Sequence, residues 1–170
     1  MRVFKEVQRF NQWWMQLVNL SMVLLLGYLC YSWYFSGNTV DDVAPDNWIL
    51  QLLVIGSIGI TLLLLLILKL RTEIDNRGIH YQFLPFHRNK KSIPWEEMES
   101  CRVRTYNAIR EYGGWGFRAS FGNGKAYNVK GNQGIQIALK NGQKLLLGTQ
   151  KMKEAAQVID RYSNKNNDGY

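Results

Sequence analysis

Two long apolar runs without a single charge occupy the first 70 residues of this 170-residue chain, and they constrain everything that follows. No charged residue lies between Phe10 and Val40, and none between Asn47 and Leu68. Within these windows, Trp14 to Phe35 gives 22 residues and Trp48 to Leu68 gives 21. An α-helix rises ~1.5 Å per residue and the hydrocarbon core of a bilayer is ~30 Å thick, so ~20 apolar residues suffice to cross it. Each run is long enough to span. The chain therefore reads as a two-pass membrane protein.

A secretory signal is the competing reading of the first run. Its apolar region would be shorter and would end at small residues. Here the end is Tyr31-Ser32-Trp33-Tyr34-Phe35, which is bulky and aromatic. Burial inside a soluble core is the second competitor. The stretch Leu62–Leu68 is apolar on every side, and a chain of this size has too little other material to wrap two such helices.

Orientation follows from the flanks. Arg2, Lys5 and Arg9 precede the first span, and Lys69 and Arg71 follow the second. The connecting segment 36–47 holds three aspartates and no Lys or Arg. The positive-inside rule then places both termini in the cytoplasm and the acidic loop outside. Trp13 and Trp14 at one end of the first span, Trp33 and Tyr34 at its other end, and Trp48 on the second span are the expected membrane-interface anchors. The reading divides the chain into a cytoplasmic N-terminal segment (1–12), spans at 13–35 and 48–70, an external loop (36–47), a cytoplasmic domain (71–163) and a flexible tail (164–170).

The spans carry no ionisable residue, so chemistry inside the membrane is not expected. Gly56, Ser57, Gly59 and Thr61 form a small-residue face expected to serve close helix packing. Asn19 and Gln51 lie near opposite ends of the hairpin and are expected to reach headgroups rather than each other.

From Arg71 onward the chain carries 17 Lys and Arg against 9 Asp and Glu, and the preceding part is balanced at 4 against 4. The whole excess of +8 thus belongs to the domain. An anionic leaflet attracts such residues by about 1 kcal/mol each when they lie near it. Nucleic acid is the usual alternative partner of a basic domain; the membrane tether favours lipid.

Local patterns in the domain are β-rich. Thr72–Asp75 and Ile79–Phe83 flank a turn at Asn76-Arg77-Gly78. Ser92-Ile93 is strand-like, and Pro94–Met98 opens as a turn. Cys101–Tyr106 alternates as a half-buried strand does. Gly116–Phe121 and Lys125–Val129 flank Gly122-Asn123-Gly124, and Gly134–Lys140 and Gln143–Gly148 flank Asn141-Gly142, a strong hairpin signal. Thr149 is the expected N-cap of a closing helix with Met152, Ala155, Ala156, Ile159 and Tyr162 on its apolar face. About seven strands and one amphipathic helix predict a mainly-β barrel or sandwich plugged by the helix.

Three stretches together carry a resemblance: Ile93-Pro94-Trp95-Glu96-Glu97-Met98, the glycine–aromatic segment Tyr112-Gly113-Gly114-Trp115-Gly116-Phe117-Arg118, and the ending Ile135–Thr149 with its helix. In this order they resemble bacterial pleckstrin-homology-like (PH-like) membrane proteins, in which a transmembrane hairpin is fused to a PH-like β-domain. The resemblance covers essentially the whole chain. It implies two roughly orthogonal antiparallel sheets capped by a C-terminal helix, and a bacterial inner (cytoplasmic) membrane location. It implies little about function, because fold does not fix function. Phosphoinositide-binding PH domains place a basic motif at the first hairpin loop. Here that turn, Asn76-Arg77-Gly78, is too short, and the basic cluster follows one loop later, from His87 to Lys91.

Candidate surface residues are Lys69, Arg71, Arg88, Lys90 and Lys91 for a lipid or protein partner. Tyr112, Trp115, Phe117 and Arg118 line either a partner groove or a structural loop. No catalytic, cofactor or metal site is expected. Cys30 and Cys101 belong to different parts of the chain, and His80 and His87 lack cysteine partners. Glu96, Glu97 and Glu99 read as solvated charge. Gly124-Lys125 is followed by Ala126, so no phosphate loop is present. The expected function is a non-enzymatic, membrane-anchored interaction module whose domain binds a protein partner, itself or anionic headgroups. A subunit of an oligomeric channel or transport complex is the alternative, and nucleic-acid binding a distant one.

Overall fold

A computed structural model of the chain describes residues 3–37, 40, 43 and 46–167, with side chains described to Tyr162. Asp41 and Asp42 of the expected external loop, and residues 168–170 of the expected tail, lie outside the described residues. The chain forms two compact units, one made of residues 1–9 with 68–170 and the other of residues 10–67.

The second unit is helical. Helix α1 (Trp13–Tyr31) runs into a π-helical turn at Ser32–Ser36, and helix α2 (Trp48–Ile67) follows. Asn47 starts α2 by accepting the Leu50 N–H at 3.3 Å. Both helices are long and apolar enough to cross a membrane, with mean hydropathies of 1.5 and 2.6 over their best windows. Only 11% and 6% of those windows are buried, whereas the core helix of a soluble protein would be mostly covered. Among the described residues of this unit, Met15, Leu29, Ser32, Trp33 and Gln51 are buried.

Two sequence expectations change here. Ser57, Gly59 and Thr61 are exposed, and the two hydroxyls bond back to their own helix, Ser57 to the Val54 carbonyl and Thr61 to the Ser57 carbonyl, both at 2.8 Å. The small-residue face therefore does not pack within this unit. Gln51, expected at a headgroup, is 2% exposed.

Among the described residues the first unit contains nine strands in two sheets. Strands β1 (Phe4–Arg9), β2 (Lys69–Ile74), β3 (Gly78–Leu84) and β4 (Lys91–Pro94) form an antiparallel sheet in that order. Strands β5 (Met98–Thr105), β6 (Gly116–Ser120), β7 (Gly124–Asn128), β8 (Gln133–Leu139) and β9 (Lys144–Gly148) form a second sheet in the order β5-β8-β9-β7-β6. A 3-10 turn at Trp95–Glu97 joins the sheets, which stay separate rather than closing into a barrel. The first strand lies in the segment expected to precede the domain, so the domain includes residues 4–9. Nine strands replace the expected seven. The β7–β9 pair is parallel, where only antiparallel pairing was expected.

Strand β1 pairs along its full length with β2, from Phe4 opposite Ile74 to Arg9 opposite Lys69. Alternate residues face inward, as the two-residue strand period requires. The inward set is Phe4, Glu6 and Gln8 on β1, Leu70, Thr72 and Ile74 on β2, and Ile79, Tyr81 and Phe83 on β3. Ile135, Ile137, Leu145, Leu147 and Tyr127 supply buried residues from the second sheet.

Helix α4 (Met152–Asn167) packs against β5 and also meets β1, β2 and β8. It buries Ala155, Val158, Ile159 and Tyr162, and the Tyr162 ring lies 6.2 Å from that of Trp95. The helix continues to Asn167 rather than stopping at the expected tail. Thr149 stands before its start and is not its N-cap; its hydroxyl accepts the Lys151 N–H at 3.1 Å.

A satellite cluster covers the other face of the second sheet. Tyr106, Ala108, Tyr112, Ala126 and Leu146 are buried together, with Trp115 packed against them. Because the sheet is covered on both faces here, Leu145-Leu146-Leu147 is buried without interruption instead of alternating. The cover is a short helix, α3 (Ala108–Tyr112), which the sequence reading did not place. Asn107 caps it by accepting the Ile109 and Arg110 N–H groups at 3.1 and 3.0 Å. Gly113 ends it in the left-handed region at φ 73°, a position that glycine takes without a Cβ penalty.

Candidate functional site

The outward face of the first sheet gathers charged side chains from three strands. Lys5, Val7 and Arg9 from β1, Lys69, Arg71 and Glu73 from β2, and His80 from β3 alternate outward along their strands. Lys5 and Lys90 each approach Glu73 at 2.8 Å, one to each carboxylate oxygen. Hydrogen bonds from Lys5 and then Lys90 hold the Glu73 carboxyl below its usual range. Lys90, expected as a free surface cation, is thus engaged. A depression of about 200 Å³ lies over this face and is lined by Lys5, Val7, Arg71, Glu73 and Lys90 among others. Small-molecule pockets run upward from roughly 300 Å³, so the face suits an extended surface contact better than an enclosed ligand.

Of the candidate surface cations, Lys69 is half-buried and Arg71 exposed, both on the outward face of β2. The structure adds Lys5 and Arg9, which the sequence reading used only as flanking charges. Arg88 and Lys91 are exposed; the Arg88 carbonyl accepts a 3.0 Å bond from the Gln82 amide, which folds the basic loop back on β3.

His80 sits between Asp75, 3.1 Å from its Nε2, and the Ser92 hydroxyl, 2.8 Å from its Nδ1. The Asp75 carboxyl also accepts the Arg77 and Gly78 N–H groups and closes the β2–β3 turn. His87 accepts the Phe83 N–H at 3.3 Å on Nδ1, and its ring stands edge-on to Tyr127 at 4.9 Å. Burial, with the Lys91 charge in second place, lowers its pKa and favours the neutral ring. Burial also pushes the Cys101 thiol up to about 12, which leaves it unreactive. Glu96, Glu97 and Glu99 are exposed. No group of three or more metal-ligating side chains occurs among the described residues.

The four glycine-segment candidates do not line one groove. Tyr112, the last residue of α3, is buried against the second sheet with its hydroxyl donating to the Asn123 carbonyl at 3.3 Å. Trp115 is half-buried and donates from Nε1 to the Gly131 carbonyl at 3.0 Å. Phe117 pairs with Tyr127 and Arg118 with Ala126, so these neighbours point to opposite faces of β6. The Phe117 ring stacks on Tyr127 at 5.0 Å.

Of the interface anchors, Trp13, Trp14, Tyr34 and Trp48 are exposed. Trp33 is not. It is 4% exposed, and its indole Nε1 has no hydrogen-bond partner among the described residues.

Buried polar contacts tie β1 to the far end of the chain. Glu6 Oε2 accepts the Thr149 hydroxyl at 2.7 Å and Oε1 accepts the Gln150 N–H at 2.8 Å. The Gln8 amide donates to the Gly148 carbonyl at 2.6 Å. Sequence reasoning missed this cluster, because buried Glu and Gln at alternate positions look like a solvated flank.

A two-sheet β-domain interrupted by a pair of membrane-length helices is the class that these observations define. Residues 1–163 match the family described as "Family of unknown function (DUF6141)", and the chain belongs to that family. No curated protein matches the chain.

Proposed function

We propose that the protein is a non-enzymatic, membrane-anchored interaction module of the bacterial inner membrane, with a PH-like domain held at the cytoplasmic surface. One observation carries the reading: β1 and β2 lie side by side, with Arg9 opposite Lys69. The chain thus leaves the sheet at Arg9 and re-enters it beside the same residue. A segment that departs and returns at one place crosses a bilayer an even number of times, and α1 and α2 supply two crossings. Cations at both ends of this segment favour the cytoplasmic side by the positive-inside rule.

The PH-like assignment is supported by two sheets closed by a C-terminal helix; the parallel β7–β9 pair departs from it. The non-catalytic reading is supported by a Cys101 held as thiol and by two histidines engaged in structural contacts. The outward cationic face of the first sheet is the surface offered to a protein partner, a second copy or anionic headgroups.

Topology mapping tests the reading. Cysteines placed singly at Val43 and Asn141, in the full chain with Cys30 replaced by Ser and Cys101 by Ala, are expected to differ in intact cells. A membrane-impermeant maleimide labels Val43 and leaves Asn141 unlabelled until the cells are opened. Labelling of both positions in intact cells refutes the cytoplasmic placement. Mass measurement after mild detergent extraction tests the interaction role, and a solitary monomer at every concentration counts against it.

A further inference from the structure

The end of the first sheet from which the chain departs carries an exposed aromatic side chain that the anchored reading leaves unused. Arg9, Lys69 and Leu84 form one row across β1, β2 and β3. Leu68 alone separates Lys69 from Ile67, the last residue of α2. One extended residue spans roughly 3.5 Å, so this row follows directly on the apolar helix. Leu84 then leads through Pro85 into Phe86, which is 62% exposed.

Phe86 is not a loose surface residue. Its ring stacks on the fully buried Phe83 at 5.8 Å with 9° between planes. It also stands 6.5 Å from Phe117, itself 43% exposed and stacked on the buried Tyr127. The domain core thus extends outward through Phe83 and Tyr127 into two partly uncovered rings at one end of the fold.

The loop that follows this row is basic: residues 84–93 hold Arg88, Lys90 and Lys91 and no acid. Arg9 and Arg88 are exposed, and Lys69 is half-buried in the same row as Leu84. An aromatic tip with cations in the adjoining row and loop matches the interface of an anionic bilayer, where the ring enters the headgroup–acyl boundary and the cations meet phosphates.

We propose that Phe86, backed by Phe117, is a membrane-seated wedge that holds the domain on the anionic leaflet next to its own anchor, with Arg9, Lys69 and Arg88 as its phosphate contacts. This rests on the membrane-anchored reading. It assigns the domain a docked face and leaves the Lys5–Glu73–Lys90 end of the same sheet free for a partner.

The full chain, freed of Cys30 and Cys101 by substitution to Ser and Ala, is labelled with an environment-sensitive fluorophore at Phe86→Cys or, as control, Asn141→Cys. It is reconstituted in vesicles of phosphatidylcholine alone or mixed with phosphatidylglycerol. The label at position 86 should shift to the blue and brighten severalfold in mixed vesicles. High salt or the outward-facing pair R9E/K69E should reverse the change, and the label at 141 should remain water-like. Water-like emission at 86 in carbonate-resistant, mixed vesicles overturns the wedge alone. An equal blue shift in neutral vesicles overturns the anionic-lipid assignment. Release of the protein by alkaline carbonate overturns the anchor, and the wedge with it.

Discussion

Glu6 and Thr149 stand 143 positions apart in the chain and meet in a 2.7 Å hydrogen bond, buried between the first strand and the approach to the last helix. Glu6 uses its second oxygen on the Gln150 N–H, so a short N-terminal segment satisfies two donors ahead of α4. Hydrogen bonds to a charged group contribute about 1.5–3 kcal/mol, and their loss leaves buried donors unpaired. E6A is therefore expected to destabilise the domain by about 3 kcal/mol and T149V by about 2 kcal/mol. Chemical unfolding in detergent measures both. The double variant should lose less than the sum, because the two residues share one contact.

Gly124 begins β7 at φ 77°, with the Lys144 backbone of the parallel neighbour lying against the space a Cβ would fill. Gly122, two residues earlier, has φ 87° and open space around it. G122A should cost only the left-handed strain, about 1–2 kcal/mol. G124A adds a backbone clash and should cost more than about 3 kcal/mol, combining that strain with overpacking. Equal thermal shifts for the two variants would show that β9 yields at that point.

Glu73, Asp75 and Glu111 all titrate below the ordinary carboxylate range. Hydrogen bonds from Lys5 and Lys90 act on Glu73, and the Arg104 hydrogen bond acts on Glu111. At Asp75 burial works upward but is outweighed by the Arg77 N–H, His80 and the Gly78 N–H. The unfolded chain then binds protons more readily than the folded one as pH falls. The contribution to stability is complete above the ordinary carboxylate range and is lost as pH drops through it toward the lowered folded values. E73Q and E111Q should each flatten the acid limb of a stability–pH curve. Both side chains are partly solvated, so each change is about 0.2–1 kcal/mol at neutral pH.

Trp33 offers the opposite kind of test. Its Nε1 is buried without a partner among the described residues, so the ring contributes packing but no hydrogen bond. W33F removes the orphan donor and keeps an aromatic ring, and the variant should be as stable as the parent or more so. W33A opens a cavity and should lose about 3 kcal/mol. Heat-induced loss of helicity in detergent compares the three proteins.

Much of the second sheet was legible because its turns are local. Asn141-Gly142 and Gly122-Asn123-Gly124 announce hairpins through the backbone angles they permit, and β6 to β9 follow from them. The face of α4 was legible in the same way, from helical spacing. Strand β1 was not, since its inward positions hold Glu6 and Gln8, whose partners Gly148, Thr149 and Gln150 lie at the other end of the chain. The β7–β9 pairing was hidden too, because a parallel contact has no turn to signal it. At the surface, charge alone nominated Lys69 and Arg71, which β2 turns to the outward face of its sheet. The Lys90 ion pair was not legible, as Glu73 is 17 residues away on β2. Trp33 misled because an aromatic at the end of an apolar run looks the same whether it faces lipid or protein.

Strands β1 and β2 are consecutive neighbours in the sheet, so residues 10–68 are formally the loop of a β-hairpin. The β-domain is consequently discontinuous, and truncation at Arg71 would discard an edge strand together with the Glu6 contacts. Excision serves instead. Joining Arg9 to Lys69 through Asn-Gly places a two-residue type I′ turn across residues that already stand opposite each other. Such a shortened chain should keep all nine strands and dissolve without detergent, giving a minimal protein in which the β-domain is studied apart from its anchor.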